Sequence, residues 1–356
     1  MTDTTTATTD EDPRRIVTVL DPEDEYTHEP DDAANYNESM YLNAFSLDGP
    51  GGPVGGWFRL GNRVNEGYAE LSVCIYLPER DGKRPVAFVY AKPEIADNKA
   101  MDAGGLRIEV VEPFEHLTVT YDGKICVLDE PGDMADPRTA FTENPWEQCR
   151  VDLDFRGVSP MFGGRREHAD GTPIAIDAEK SFAKAHYEQH CRVTGTISVG
   201  DVEFSMDGLG LRDKSWGPRH WQAIDWYRWL PFVFDEDFAM MLSIVNGRAG
   251  GMVLDGDDYH LITDCTIESD WDENGYQTAM RCTATTELDT YVVTGEVVSL
   301  IPLRNRRTDA DGNQLHTRIT EAMTRYECRG KQGIGMSEYL DQVVDGRPSG
   351  PDVRLP

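Results

Sequence analysis

Apolar and polar residues alternate in short runs along most of this chain, and turn-forming residues break the runs. In residues 69–77, Leu71, Val73, Ile75 and Leu77 share one face, the period-two signature of a half-buried β-strand. Val151, Leu153 and Phe155 alternate with Asp152 and Asp154 in the same way. Residues 117–121 and 124–128 flank Asp122-Gly123, which predicts a two-residue hairpin turn where glycine accepts a positive φ. Gly200-Asp201 predicts a second hairpin between residues 196–199 and 202–206, and Asn246-Gly247 a third after residues 238–245. Strands are also expected at 252–254, 259–262, 276–285, 291–301 and 317–328, and no stretch reads as a long helix.

Many short antiparallel strands joined by tight turns predict an all-β fold of closed barrels or sandwiches, because closure removes unpaired strand edges. The 356 residues suit two domains, each large enough to bury its own core. Residues 1–32 hold eleven Asp and Glu against two Arg and open on a Thr-rich run, which reads as a flexible acidic tail unless it docks. The stretch 159–177, rich in Gly, Pro, Arg and Asp, is the linker candidate. It divides the chain into an N-terminal domain over 33–175 and a C-terminal domain over 176–356.

Charge narrows the range of partners. Lys and Arg number 34 against 64 Asp and Glu, and a net charge of −30 repels nucleic-acid phosphates and anionic lipid. No apolar stretch is long enough to cross a bilayer and no signal peptide is recognisable, so a cytoplasmic protein without membrane insertion is expected. The seven cysteines are scattered singly, which argues against a disulfide framework or a zinc ribbon.

Candidate chemistry concentrates in Gly208-Leu209-Gly210-Leu211-Arg212-Asp213-Lys214-Ser215-Trp216-Gly217, followed by Trp221, Trp226, Tyr227 and Trp229. Four tryptophans so close together can form an aromatic wall for an apolar ligand and stabilise a cation over their π-faces. The same residues equally describe a satellite core beside a structural salt bridge, since Arg212 and Asp213 would be costly to bury unpaired. His186, Glu188 and His190 would share one face of a strand, but a tetrahedral metal site needs further ligands, so no metal is expected. The glycine-rich stretch 49–56 lacks the features of a phosphate cradle, and Ser215 and Ser337 lie outside any Gly-x-Ser-x-Gly context.

The motif Gly210-x-Arg212-Asp213-Lys214-x-Trp216-Gly217 resembles the Asp-His-x-Trp-Gly segment of the carotenoid 1,2-hydratase superfamily, also called hydroxyneurosporene synthase or AttH-like. His186-Tyr187-Glu188-Gln189, the stretch Asn62 to Glu70 and the stretch Gly333 to Tyr339 are similar too, so the resemblance spans about residues 36–345. It implies two lipocalin-like antiparallel barrels packed together, with a hydrophobic small-molecule site in or between them. The chain departs from the family at Lys214, where the motif has His, and near Met241 and Ser243, where the hydratases carry Tyr-x-Asp.

The expectation is therefore an enzyme without cofactor, a hydratase, dehydratase or isomerase acting on a terpenoid, steroid-like or polyene molecule. Asp213 is the expected acid or orienting group and Trp216 the cation stabiliser, with Glu188 and His186 as proton-relay partners. Arg212, Lys214, Trp221, Trp226, Tyr227 and Trp229 are expected around the substrate. A non-enzymatic carrier or sensor of lipophilic ligands, and a cyclase that only shapes a polyene, are the alternatives.

Overall fold

The computed structural model describes residues 16–174, 182–220, 223–308, 312–351 and 353. Its first sheet contains β1 (Ile16–Val19), β2 (Tyr36–Ser46), β3 (Val54–Arg63), β4 (Tyr68–Tyr76), β5 (Val86–Ala91), β6 (Met101–Ala103), β7 (Leu106–Glu112), β8 (His116–Leu128), β9 (Trp146–Gly157), β10 (Phe162–His168), β11 (Ala185–Val199) and β12 (Val202–Pro218). The second contains β13 (Trp226–Asp235), β14 (Phe238–Val245), β15 (Arg248–Asp255), β16 (Asp258–Leu261), β17 (Asp264–Trp271), β18 (Gln277–Thr285), β19 (Thr290–Thr308), β20 (Gln314–Cys328), β21 (Lys331–Val344) and β22 (Arg347–Pro348). All strand pairs are antiparallel, so the chain is all-β with two lipocalin-like barrels, as expected.

The first barrel closes in the order β2-β3-β4-β5-β8-β9-β11-β12 and back to β2. Alternation sends Met40, Leu42, Phe58, Leu71, Val73 and Leu153 into its interior, where they are fully buried. The second sheet curls until β17 returns against β14 and β15, around Leu230, Phe232, Met240, Val253 and Tyr326. Between the two, outward residues of the first barrel such as Phe45, Trp57 and Tyr76 pack on Ile301, Met323 and Met336. All seven cysteines are free and buried. Among the described residues no helix is long and apolar enough to cross a membrane.

Two of the predicted hairpins are present, one at Gly200 between β11 and β12 and one at Asn246-Gly247 between β14 and β15. The one at Asp122-Gly123 is not, because β8 runs straight through those residues, paired along its length with β9. On its other edge β8 pairs first with β7 and then with β5, and Gly123 marks the change of partner. A Cβ there would lie 2.5 Å from the Tyr121 hydroxyl, so glycine serves close packing within a strand rather than a turn.

The division of the chain also differs from the sequence reading. Strands β10, β11 and β12 belong to the first sheet, so the passage between barrels follows Pro218 and does not lie at 159–177; residues 175–177 fall outside the described residues. Nor is the segment from Ile16 to Asp32 a free tail. Strand β1 pairs with β10, and a 3₁₀ turn at Pro22–Glu25 covers one end of the first barrel's interior, with Asp24 and Glu25 buried.

Buried charge pairs hold this cover in place. Arg212 donates to Glu25 and to Gln189, and Lys214 donates to Glu38 and to the Tyr26 carbonyl. Burial alone would raise the Glu38 pKa, but Lys214 and His28 outweigh it and hold it at about 2. Truncating Glu25 to Ala strands the Arg212 guanidinium inside the barrel. A loss of about 3–5 kcal/mol is expected in urea unfolding of Glu25→Ala. An unchanged unfolding midpoint would show that the cover carries no stability.

Candidate functional site

A cavity of about 1020 Å³ lies between the two barrels. Its floor follows from strand register. One row across the first sheet runs Tyr90-Ser72-Arg59-Tyr41-Asp213-Glu188-Phe162, each residue directly opposite the next on a neighbouring strand, and every one lines the cavity. The opposite wall is built the same way, since Glu321, Glu338, Trp229 and Ser243 form one row across β20, β21, β13 and β14. An apolar part is supplied by Trp57, Phe88 and Phe141, with Trp57 and Phe88 ring centroids 5.9 Å apart.

Acid–base groups meet where the two walls approach. His186 and Glu188 alternate on β11 so that both face the cavity, and Asp213 stands opposite Glu188 on β12. His186 Nε2 is hydrogen-bonded to Asp213 Oδ2 at 2.6 Å and lies 3.6 Å from Glu188 Oε1. Trp229 reaches over from the second barrel and donates its indole N–H to Glu188 Oε1 at 3.1 Å. Glu188 Oε2 has no hydrogen-bond partner among the described residues.

This environment separates the proton affinities. Burial raises the Glu188 pKa to about 7, with Asp213 adding to the rise and His186 opposing it. Burial would lower the His186 pKa, but the Asp213 carboxylate and its hydrogen bond win and raise it to about 9. The His186 side chain is 41% exposed, toward the cavity, whereas that of Glu188 is fully buried at its edge. A carboxyl that keeps its proton up to about neutral pH thus stands beside a histidine hydrogen-bonded to Asp213, an arrangement that can donate a proton into the cavity and be recharged.

Alternation along β12 sorts the sequence candidates. Asp213 points to the cavity, and so do Glu188, His186, Tyr227 and Trp229. Arg212, Lys214 and Trp216 point the other way, into the barrel, and do not meet the cavity. Arg212 and Lys214 are consumed by Glu25 and Glu38, and Trp216 stacks on His28 at 4.0 Å with Lys214 over its ring. Trp216 is therefore part of the barrel cover and not a cation shield. Trp226 carries the Arg228 guanidinium 5.4 Å from its ring and is also off the cavity, while Trp221 lies outside the described residues.

Sequence reasoning missed Arg59, Arg219, Glu321 and the aromatic pair Tyr41 and Trp57 as cavity residues. Arg219, buried on the cavity wall, donates to Ser215 and stands over the Phe182 ring at 4.3 Å. The ligating atoms of His186, Glu188 and Asp213 lie within 4.8 Å of one another, a set that can hold a divalent ion. His190 is not close enough to join it, and its Nδ1 pairs with the Tyr259 hydroxyl at 3.0 Å.

Stability is expected to fall as pH rises above the mildly acidic range. Glu188 keeps its proton up to about 7 in the folded chain against 4.5 in the unfolded one, so its share is present below 4.5 and lost by about 7. The share from His186 is present below 6.5 and lost as pH rises through about 9. Melting temperature followed across this window should decline, and Glu188→Gln should make its lower part shallower, with Glu338, also raised to about 7 by burial, still contributing there. A flat profile for the parent protein would contradict the buried acid.

The fold has known counterparts. An AttH-like protein of Nitrosomonas europaea superposes with a TM-score of 0.55 at 13% identity, over 91% of this chain and 96% of that one. Kievitone hydratase of Nectria haematococca superposes with a TM-score of 0.50 at 8% identity, over 85% of this chain and 88% of that one. At such identities the likeness is one of fold, and it is the fold that the sequence motif implied. No curated protein matches the chain in sequence. Residues 21–343 match the model of a domain of unknown function, DUF7064, and the chain belongs to that family.

Proposed function

We propose that the inter-barrel cavity adds water to, removes water from, or isomerises a hydrophobic small molecule by acid catalysis, with Glu188 as the acid. The observation that carries this reading is a buried carboxyl, raised to about 7, at the edge of an aromatic-walled cavity. In the dehydrating direction Glu188 passes its proton to a substrate hydroxyl, the C–O bond breaks, and its electron pair leaves with water. Tyr41 and Trp229, whose ring centroids are 5.5 Å apart, then offer π-faces to the cation left behind. The His186–Asp213 pair returns a proton to Glu188. Asp213 is thus the orienting group of His186, and the stabilising indole is Trp229 instead of Trp216.

That one fold relative is named a hydratase agrees with this reading. The polar half of the cavity, with Arg59, Glu70 and Arg219, suits a substrate that carries hydroxyl or carbonyl oxygens as well as an apolar skeleton.

Acid-catalysed ionisation exchanges a hydroxyl oxygen with solvent even when net dehydration is unfavourable. The parent protein incubated with the tertiary allylic alcohol nerolidol and related alcohols in heavy-oxygen water should accelerate that exchange. Glu188→Gln should reduce it by about 100-fold or more with the fold retained. Trp229→Leu should lose more activity than Trp229→Phe, which keeps a π-face. Tight binding of such alcohols without any exchange would overturn the enzymatic reading and leave a carrier of lipophilic ligands.

A further inference from the structure

We propose that Glu321 and Glu338 form a second proton station in the cavity, which serves the substrate carbon while Glu188 serves the oxygen; this rests on the reading of Glu188 as acid. The two glutamates stand directly opposite each other on β20 and β21, both buried and both lining the cavity. Tyr227 donates its hydroxyl to Glu338 Oε1, and Glu321 Oε2 has no partner among the described residues. Two carboxyls side by side in a medium of low dielectric do not both ionise, so the pair holds one proton and keeps one basic oxygen. Burial, followed by their mutual repulsion, sets the proton affinity of Glu321 well above the ordinary carboxyl range.

Position links this pair to the acid. Glu338 is the cross-strand neighbour of Trp229, and the Trp229 indole donates to Glu188. A molecule lying against that indole is in a cavity that Glu188 and the glutamate pair both line. A merely structural role accounts poorly for the arrangement. Burying two acids that must share a proton costs more than burying two glutamines, even with Arg59 lowering the proton affinity of both.

The step balances for an alcohol with hydrogen on the adjacent carbon. Glu188 protonates the hydroxyl and the C–O bond breaks with its electrons leaving on water. The adjacent C–H bond then breaks, its electron pair becomes the second bond of the alkene, and its proton passes to the ionised member of the pair. Hydration is the reverse. The substrate class is accordingly an apolar tertiary or allylic alcohol, or the alkene derived from it.

The test follows two labels on nerolidol in deuterium oxide enriched in heavy oxygen, using the full chain. Oxygen exchange reports Glu188, and deuterium entering carbon reports the pair. In a Glu321→Gln, Glu338→Gln double variant, deuterium incorporation should fall by about 100-fold relative to oxygen exchange. Glu188→Gln should lose both. The proposal is overturned if the double variant keeps the parent's ratio of the two labels. If the parent exchanges no oxygen, the reading of Glu188 fails, and the pair is judged by infrared spectroscopy of the protein alone. A protonated carboxyl band at neutral pH should then persist in Glu188→Gln and disappear when Glu321→Gln and Glu338→Gln are added to that variant, and its absence from Glu188→Gln sinks the pair as a proton station.

Discussion

The strict two-residue alternation of side chains along β12 is the constraint on which the rest of this molecule depends. It drives Arg212, Lys214 and Trp216 into the first barrel and turns Asp213 and Ser215 toward the second. Inside, the two cations fix the cover formed by the segment around Glu25 and keep Glu38 ionised. Outside, Asp213 fixes His186 by a hydrogen bond, and burial raises the proton affinity of Glu188 beside them. A one-residue slip of β12 would place the cations in the cavity and Asp213 in the core. Close approach to β2 guards the register, because a Cβ on Gly210 would fall 1.8 Å from the Asn43 carbonyl oxygen.

Desolvation supplies the chemistry in a chain whose surface is overwhelmingly acidic. Most of the 64 Asp and Glu contribute only to that charge, and few of them are buried. Glu25 and Glu38, which meet a cation inside the barrel, form ion pairs, whereas Glu188, Glu321 and Glu338 sit where burial outweighs the cations and gain proton affinity. The same residue type is ion-paired inside the first barrel and raised in proton affinity around the cavity, according to which neighbours strand pairing supplies.

Much of the architecture was legible because it is written locally. Leu71, Val73 and Ile75 share a face whatever their partners, and Asn246-Gly247 suits only a tight hairpin. Asp122-Gly123 misled, since the same dipeptide serves a change of strand partner, which is a long-range event. His186, Glu188 and Asp213 were found through motif and spacing, but the raised proton affinity of Glu188 comes from burial, a long-range property that the local sequence does not show. Glu321 escaped notice altogether, because its significance lies in facing Glu338 across a strand pair and meeting the cavity. The expected tail was misjudged for a related reason: its acidic residues look solvated until Arg165, Arg212 and Lys214 are seen to wait for them and their neighbours.

Closure of the first barrel by β12 sets an order of assembly on the ribosome. Strand β2 must pair with β12, whose last residue Pro218 faces Tyr36, and the cover residue Glu25 needs Arg212. The nascent first half therefore exists for most of its synthesis as an open sheet with an unpaired edge and an uncovered end. Such an edge is a template for pairing with other chains until its own partner emerges.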